Sequence, residues 1–201
     1  MNTVRTTENN DVRESILAHG RRIIAGKGFS AVGINEVLVA AGVPKGSFYH
    51  YFGSKDAFGE ALLDSYFEEY WAGLDATLSA PGLTMAQRLM NHWKHWQDTQ
   101  LFYDCQGKCL TVKLGTEVVD LSEAMRLALR RGTAGIIDRL GDAIEAGMAE
   151  GSLSIEGSPH DAAQSLYQLW LGASVMVKIV RTPQPFGMAM TVTRQILHLS
   201  S

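Results

Sequence analysis

Ile16, Leu17, Gly20, Ile23 and Ile24 fall on one side of a helix of period 3.6, which predicts an amphipathic helix over residues 11–27. Asp11 and Glu14 have capping-box spacing at its start, and Gly28 is a natural stop. Ile34, Val37, Leu38 and Ala41 repeat the pattern over a shorter second helix, ended by Gly42, where a sharp turn takes the positive φ open to glycine. Pro44 suits the first turn of a third helix that runs to Tyr51 or Phe52, and Ser54 can cap a fourth with Asp56 in its first turn. The fourth covers roughly 54–79, with Phe58, Ala61, Leu62, Ser65 and Tyr66 on one side, and Pro81-Gly82 breaks it. Leu89, Trp93, Trp96 and Tyr103 mark a fifth over about 84–104, and a short segment follows near 110–118. Asp120 and Glu123, again at capping-box spacing, precede a helix of about 122–149. A loop at GSLSIEGSP separates it from an apolar helix at 159–180 and a last amphipathic one at 186–199. No alternating strand pattern occurs, so the chain is expected to be all-α, with about nine helices.

Composition changes this picture little. The chain has 201 residues, 46% of them hydrophobic and 19% charged, as expected of a globular protein. No apolar run approaches the ~18 residues a bilayer needs, and the polar MNTVRTTENND start lacks a signal-peptide core, so a cytoplasmic protein without a membrane partner is expected. Cys105 and Cys109 are too few for a disulfide scaffold. Charge is more informative in its distribution than in its sum of −3. Residues 1–55 hold seven Lys/Arg against four Asp/Glu, so a head of +3 sits on a body of −6, as suits a nucleic-acid reader with a second task.

The third helix, Lys45-Gly46-Ser47-Phe48-Tyr49-His50-Tyr51-Phe52, carries the chemistry. Phe48 and Phe52 share a face and should anchor it. Lys45, Ser47, Tyr49, His50 and Tyr51 then point elsewhere, a mix of donors suited to a DNA major groove, and Gly46 lets the backbone come close. Lys55 can hold a phosphate, which sets register rather than sequence preference. The order Ala41-Gly42-Val43-Pro44-Lys45-Gly46-Ser47-Phe48-Tyr49-His50-Tyr51-Phe52-Gly53-Ser54-Lys55, with Gly28-Phe29 upstream, resembles the signature of the tetracycline-repressor (TetR) family. The resemblance implies a helix-turn-helix DNA-binding head at 1–55 on an effector-sensing and dimerisation body at 56–201. It also implies a homodimer on a near-palindromic double-stranded operator, with phosphate contacts from Tyr49, Tyr51 and Lys55. Lys45, Ser47 and His50 would lie nearest the bases. The chain departs from the family at the start of the second helix, where a hydroxyl residue is usual and Val32-Gly33 stands instead; Gly33 can still cap and offer its N–H to a phosphate. Leu166, Leu169, Trp170, Ala173, Val177, Ile196 and Leu197 are the expected pairing surface, shared with the chain's own core.

In the body, Trp93, Trp96, Phe102, Tyr103, Trp170 and Met176 are candidate effector walls or plain core. His92, His95 and Asp98 have spacing that could hold a metal, but no second ligand cluster accompanies them, and neither a metal nor a cofactor is expected. The run Gly107 to Leu114 resembles the electrophile-responsive subgroup of the family, typified by the N-ethylmaleimide reductase repressor. Glu117, the run Asp120 to Arg126 and the run Leu169 to Ala173 add to that likeness, and the acrylate-responsive subgroup shares the stretch Pro44–Phe52. That resemblance makes Cys109 the sensor and Lys178 its assistant, with Cys105 a weaker candidate as resolving thiol. A thiolate is the nucleophile of such chemistry, and ammonium groups favour it. The alternative is an inert buried thiol and a lysine that only reaches solvent. The expected function is a ligand- or redox-responsive repressor released by a small electrophile, oxidant or acrylate-like effector. A purely non-covalent effector, a small cysteine-dependent enzyme and a pure interaction module are the alternatives; no phosphate loop or nucleophile elbow supports an enzyme.

Overall fold

The computed structural model describes residues 3–105 and 109–199, with side chains from 11–101 and 109–199. Among the described residues there are nine helices and no strand: α1 (Thr3–Lys27), α2 (Ile34–Ala41), α3 (Lys45–Tyr51), α4 (Lys55–Leu78), α5 (Met85–Cys105), α6 (Leu110–Leu114), α7 (Glu123–Ala149), α8 (Pro159–Val180) and α9 (Gln184–Ile196).

The helix ends mostly follow the local chemistry. Gly42 closes α2 at φ 67°, and the Ser54 hydroxyl accepts the Ala57 N–H at 3.1 Å to open α4. Ser158 opens α8 in the same way through the Asp161 N–H, with Pro159 behind it. Two expected caps are displaced. Asp11 lies inside α1 rather than at its start, because residues 3–10 contain neither Gly nor Pro to stop the helix from extending to Thr3. At α7 the cap is Ser122, whose hydroxyl faces the Met125 N–H at 3.5 Å, and not Asp120.

The chain folds into two compact units, neither contiguous: Met1–Glu68 with Cys109–Gly132, and Glu69–Lys108 with Thr133–Ser201. The head expected at 1–55 therefore shares its unit with the start of α4, with α6 and with the start of α7. In the first unit Ile16, Leu17 and Ile24 of α1, Val37 and Leu38 of α2 and Phe48 of α3 are buried. They join Phe58, Leu62 and Leu63 of α4, Leu110 and Leu114 of α6 and Met125 of α7. Close helix crossing depends on small residues: a Cβ on Gly20 would lie 2.4 Å from the Phe58 ring, and one on Gly132 only 2.0 Å from Phe67.

In the second unit α8 packs along α9 and against α5. Its core is aromatic, built on Trp93, Trp96, Tyr167, Trp170 and Phe186, with Ile136, Leu140 and Ile144 of α7 also buried.

Candidate nucleic-acid interface and sensing residues

α3 is fixed from below and open above. Phe48 is fully buried, with its ring centroid 5.3 Å from both Phe52 and Phe58, and those two lie 5.1 Å apart. Aromatic contacts of this kind add about 0.5–1.5 kcal/mol each beyond area burial. Lys45, Gly46, Tyr49 and His50 are exposed, while Ser47 and Tyr51 are half-buried. Tyr49 is 51% exposed although its ring edge rests on Phe48 at 5.5 Å, so its hydroxyl end is presented on a braced stem. A Cβ at Gly46 would meet nothing within 4 Å, so no packing inside the chain calls for glycine there. Gly33 caps α2 in extended geometry with no side-chain hydrogen bond. Lys55 is half-buried, its ammonium 4.8 Å from the Phe29 ring centroid, a cation–π contact that steadies the residue at the start of α4.

The turn between α1 and α2 is held from far along the sequence. The Phe29 N–H donates to Glu117 Oε2 at 3.1 Å and the Ser30 N–H to Oε1 at 2.7 Å. Gly28, at φ 91°, leaves room for this carboxylate, since a Cβ there would sit 2.9 Å from Oε2. Partial burial pushes the Glu117 carboxyl up, but the hydrogen bonds from Ser30 and Phe29 and the charge of Lys113 outweigh it and hold the group below its ordinary value.

Cys109 immediately precedes α6 and is buried, 9% exposed. The Tyr66 hydroxyl donates to its sulfur at 3.6 Å. Tyr66 reads in the sequence only as part of an apolar stripe, and nothing local pairs it with a residue 43 positions on. The side chains of Phe102, Tyr103 and Cys105 lie outside the described residues. Lys178, on α8 in the second unit, is half-buried.

The three expected indole walls form a packed cluster. Trp93 and Trp170 stack at 5.0 Å and 17°, and Trp96 lies 5.9 Å from Trp93. Trp96 Nε1 donates to Ser174 Oγ at 3.0 Å, and Trp170 Nε1 to Thr193 Oγ1 at 2.9 Å. Each hydroxyl passes its own hydrogen to a carbonyl four residues back, Trp170 and Ala189 respectively. Met176 is no wall: it is 45% exposed on the outer side of α8. His92 is buried whereas His95 and Asp98 are exposed, so these three do not converge on one point.

The residues expected to serve both the core and pairing do lie in the core. Leu166, Trp170, Ala173, Val177 and Leu197 are buried within the chain, and Leu169 and Ile196 half-buried, because this stripe of α8 packs against α5 and α9. The apolar surface that faces outward is the neighbouring stripe, Val175, Met176, Ile179 and Val180 of α8 with Met188 of α9, 42–66% exposed. Among the described residues no helix is long and apolar enough to cross a membrane.

Comparison with known proteins agrees with this geometry. The family model for bacterial regulatory proteins of the tetR family matches residues 16–62, and that for the tetracyclin repressor-like C-terminal domain matches residues 85–193. The chain is 39% identical over 187 residues to the HTH-type transcriptional repressor NemR of Escherichia coli strain K12, covering 93% of this chain and 94% of that protein. It is 30% identical over 186 residues to the HTH-type transcriptional repressor DhaR of Mycobacterium sp. strain GP1, 92% of each. The crystal structure of E. coli NemR in its reduced form matches with a TM-score of 0.89 at 40% identity, covering 93% of this chain and 97% of that one.

Proposed function

The chain belongs to the TetR family of bacterial transcriptional regulators, and on that premise we propose that it is a homodimeric repressor that releases a near-palindromic operator when a small electrophile or oxidant reaches Cys109. The observation that carries the DNA half is α3 itself: two phenylalanines lock it from beneath, and Lys45, Tyr49 and His50 stand exposed above. Tyr49, Tyr51 and Lys55 would grip phosphates, Lys45, Ser47 and His50 would lie nearest the bases, and Gly33 and Gly46 would let backbone approach the duplex. The outward stripe of α8 and α9 supplies the apolar area for a two-fold partner. A dimer must set its two α3 helices about 34–36 Å apart to reach successive major grooves, so a small rotation of each head is enough for release.

Sensing follows from where Cys109 sits. The thiol gives its proton to solvent, the thiolate adds to an electrophilic carbon with formation of an S–C bond, and the acceptor's π pair moves to the adjacent carbon, which solvent protonates. The added group arrives in a buried position next to α6, and the segment after α6 ends on Glu117, which holds the turn leading into α2. Strain at Cys109 thus has a short route to the DNA-reading helices, eight residues of chain to Glu117 and then two hydrogen bonds. The E. coli relative is described in a reduced form, and we carry that redox character over to Cys109.

The test is an operator shift with duplex selected from a random pool, at several salt concentrations. Lys55→Ala should lower the slope of log affinity against log salt by about one, and Cys109→Ser should bind operator but no longer release it on treatment with N-ethylmaleimide. Unchanged affinity in Lys55→Ala and Tyr49→Ala would count against the DNA assignment. Normal release by Cys109→Ser under N-ethylmaleimide would move the covalent trigger to another nucleophile, Cys105 first.

A further inference from the structure

Tyr66 is half-buried on α4, and its ring meets that of Phe67 edge-on at 5.2 Å and 67°. Phe67 is only 1% exposed, so the phenol ring rests on a fixed neighbour. Its hydroxyl donates to Cys109 Sγ at 3.6 Å, across 43 residues of chain. Sulfur is a weak acceptor and a phenol has one hydrogen to direct. The donor therefore stands beside the nucleophile, and a better acceptor arriving there takes the hydrogen at little cost.

Conjugate addition supplies such an acceptor. When a thiolate attacks the terminal carbon of a conjugated carbonyl, negative charge leaves the sulfur and builds on the carbonyl oxygen. A fixed donor speeds that step when it lies about 2.7–3.1 Å from the oxygen. The attacked carbon starts about 3–3.5 Å from the sulfur. In an acceptor folded s-cis, the oxygen is on the same side as that carbon, within reach of a donor 3.6 Å from the sulfur. In an s-trans acceptor the oxygen points away, and the same donor misses it. The charge nearest along the chain is engaged elsewhere. Lys113 is one turn along α6, its N–H donating to the Cys109 carbonyl at 3.0 Å. Its ammonium acts on Glu117, the carboxylate that holds Phe29 and Ser30.

We propose that Tyr66 is the carbonyl-recognising donor of the sensor, and that it makes Cys109 selective for small conjugated aldehydes and ketones able to adopt the s-cis form. The thiolate forms the S–C bond, the carbon–carbon π pair shifts toward the carbonyl carbon, and the carbonyl π pair becomes a lone pair on oxygen, which accepts from the Tyr66 hydroxyl. Solvent then protonates the carbon next to the carbonyl, and the carbonyl re-forms. Tyr66 keeps its proton throughout. The proposal rests on the reading of Cys109 as the sensor and names the class of electrophile that this sensor takes. Small size matters because Cys109 is 9% exposed.

The test compares two acceptors on the full chain, wild type and Tyr66→Phe. Methyl vinyl ketone reaches the s-cis form; N-ethylmaleimide has its accepting carbonyl locked trans to the double bond by the ring. Trypsin cuts after Lys108 and Lys113, which isolates Cys109 in a peptide apart from Cys105, and mass spectrometry times its adduct. Tyr66→Phe keeps the ring and removes the donor. It should slow methyl vinyl ketone about tenfold more than N-ethylmaleimide, part of the about 10²–10³ that one such donor is worth in a closed site. Lost packing or lost support for the thiolate would slow both reagents alike. Equal slowing of both, no slowing of either, or a wild-type Cys109 that methyl vinyl ketone leaves unmodified would each overturn the proposal. Operator release by wild type treated with N-ethylmaleimide is the separate measure: its absence would overturn the sensing reading and leave the rate comparison standing.

Discussion

Replacing Glu117 by Gln tests how the start of the DNA-reading head is held. The carboxylate accepts N–H groups from Phe29 and Ser30, one on each oxygen, at 3.1 and 2.7 Å. An amide keeps one acceptor and turns an NH2 toward the other donor, so one hydrogen bond and the charge are lost together. Hydrogen bonds to charged groups contribute about 1.5–3 kcal/mol each when buried, and partial exposure screens this, so the expected loss is about 1–2 kcal/mol. The pH dependence gives the sharper test. Glu117 is held below its ordinary value when folded, so its stabilisation is fully present above the unfolded glutamate pKa of about 4.3 and is lost as pH falls through the lower folded value. Urea unfolding of wild type and Glu117→Gln should therefore differ at pH 7 and converge as pH drops below about 4. Equal stability at pH 7, or a gap that persists undiminished in acid, would refute the reasoning.

Three further outcomes are expected. Tyr66→Phe should slow alkylation of Cys109 by N-ethylmaleimide a few-fold, followed by mass spectrometry, because the phenol no longer donates to the sulfur at 3.6 Å; an unchanged rate would remove Tyr66 from the sensing chemistry. Ile179→Glu, at a position 66% exposed on α8, should turn the proposed dimer into a monomer in sedimentation while keeping its helical circular dichroism, and a persisting dimer would place the interface elsewhere. Gly46→Ala should stabilise α3 by up to about 1 kcal/mol, since its Cβ meets nothing in the chain, yet weaken operator binding; undiminished affinity would mean that the backbone does not approach DNA there.

The short-range parts of this fold were legible from the chain alone. The Phe48/Phe52 spacing, the Gly42 turn and the Ser54 cap are decided by residues within a few positions of one another, and the structure has all three. Where long-range contact decides, the sequence was silent or ambiguous. α8 is apolar on two adjoining stripes, and periodicity does not tell which of them the rest of the chain covers; the stripe through Trp170 is inside and the one through Ile179 outside. The bond from Ser30 to Glu117 spans 87 residues and joins a turn to a loop, neither of which has a period to read. The partners of Trp96 and Trp170 are a serine and a threonine in helices where a hydroxyl alone carries no signal. Gln100 differs from any surface glutamine only in being buried.

The stacked pair Trp93–Trp170 has a spectroscopic consequence. Two indoles 5.0 Å apart and nearly parallel, with Trp96 close by, share their excited states rather than absorb as separate chromophores. The fourth tryptophan, Trp71, lies under the Arg139 guanidinium at 5.0 Å and gives an emission component of different origin. Any molecule that wedges against Trp93 must disturb the coupled pair, and with it the near-ultraviolet circular dichroism of the whole protein. The repressor thus carries a built-in optical label on the unit that holds α8 and α9, readable without dye, DNA or substitution.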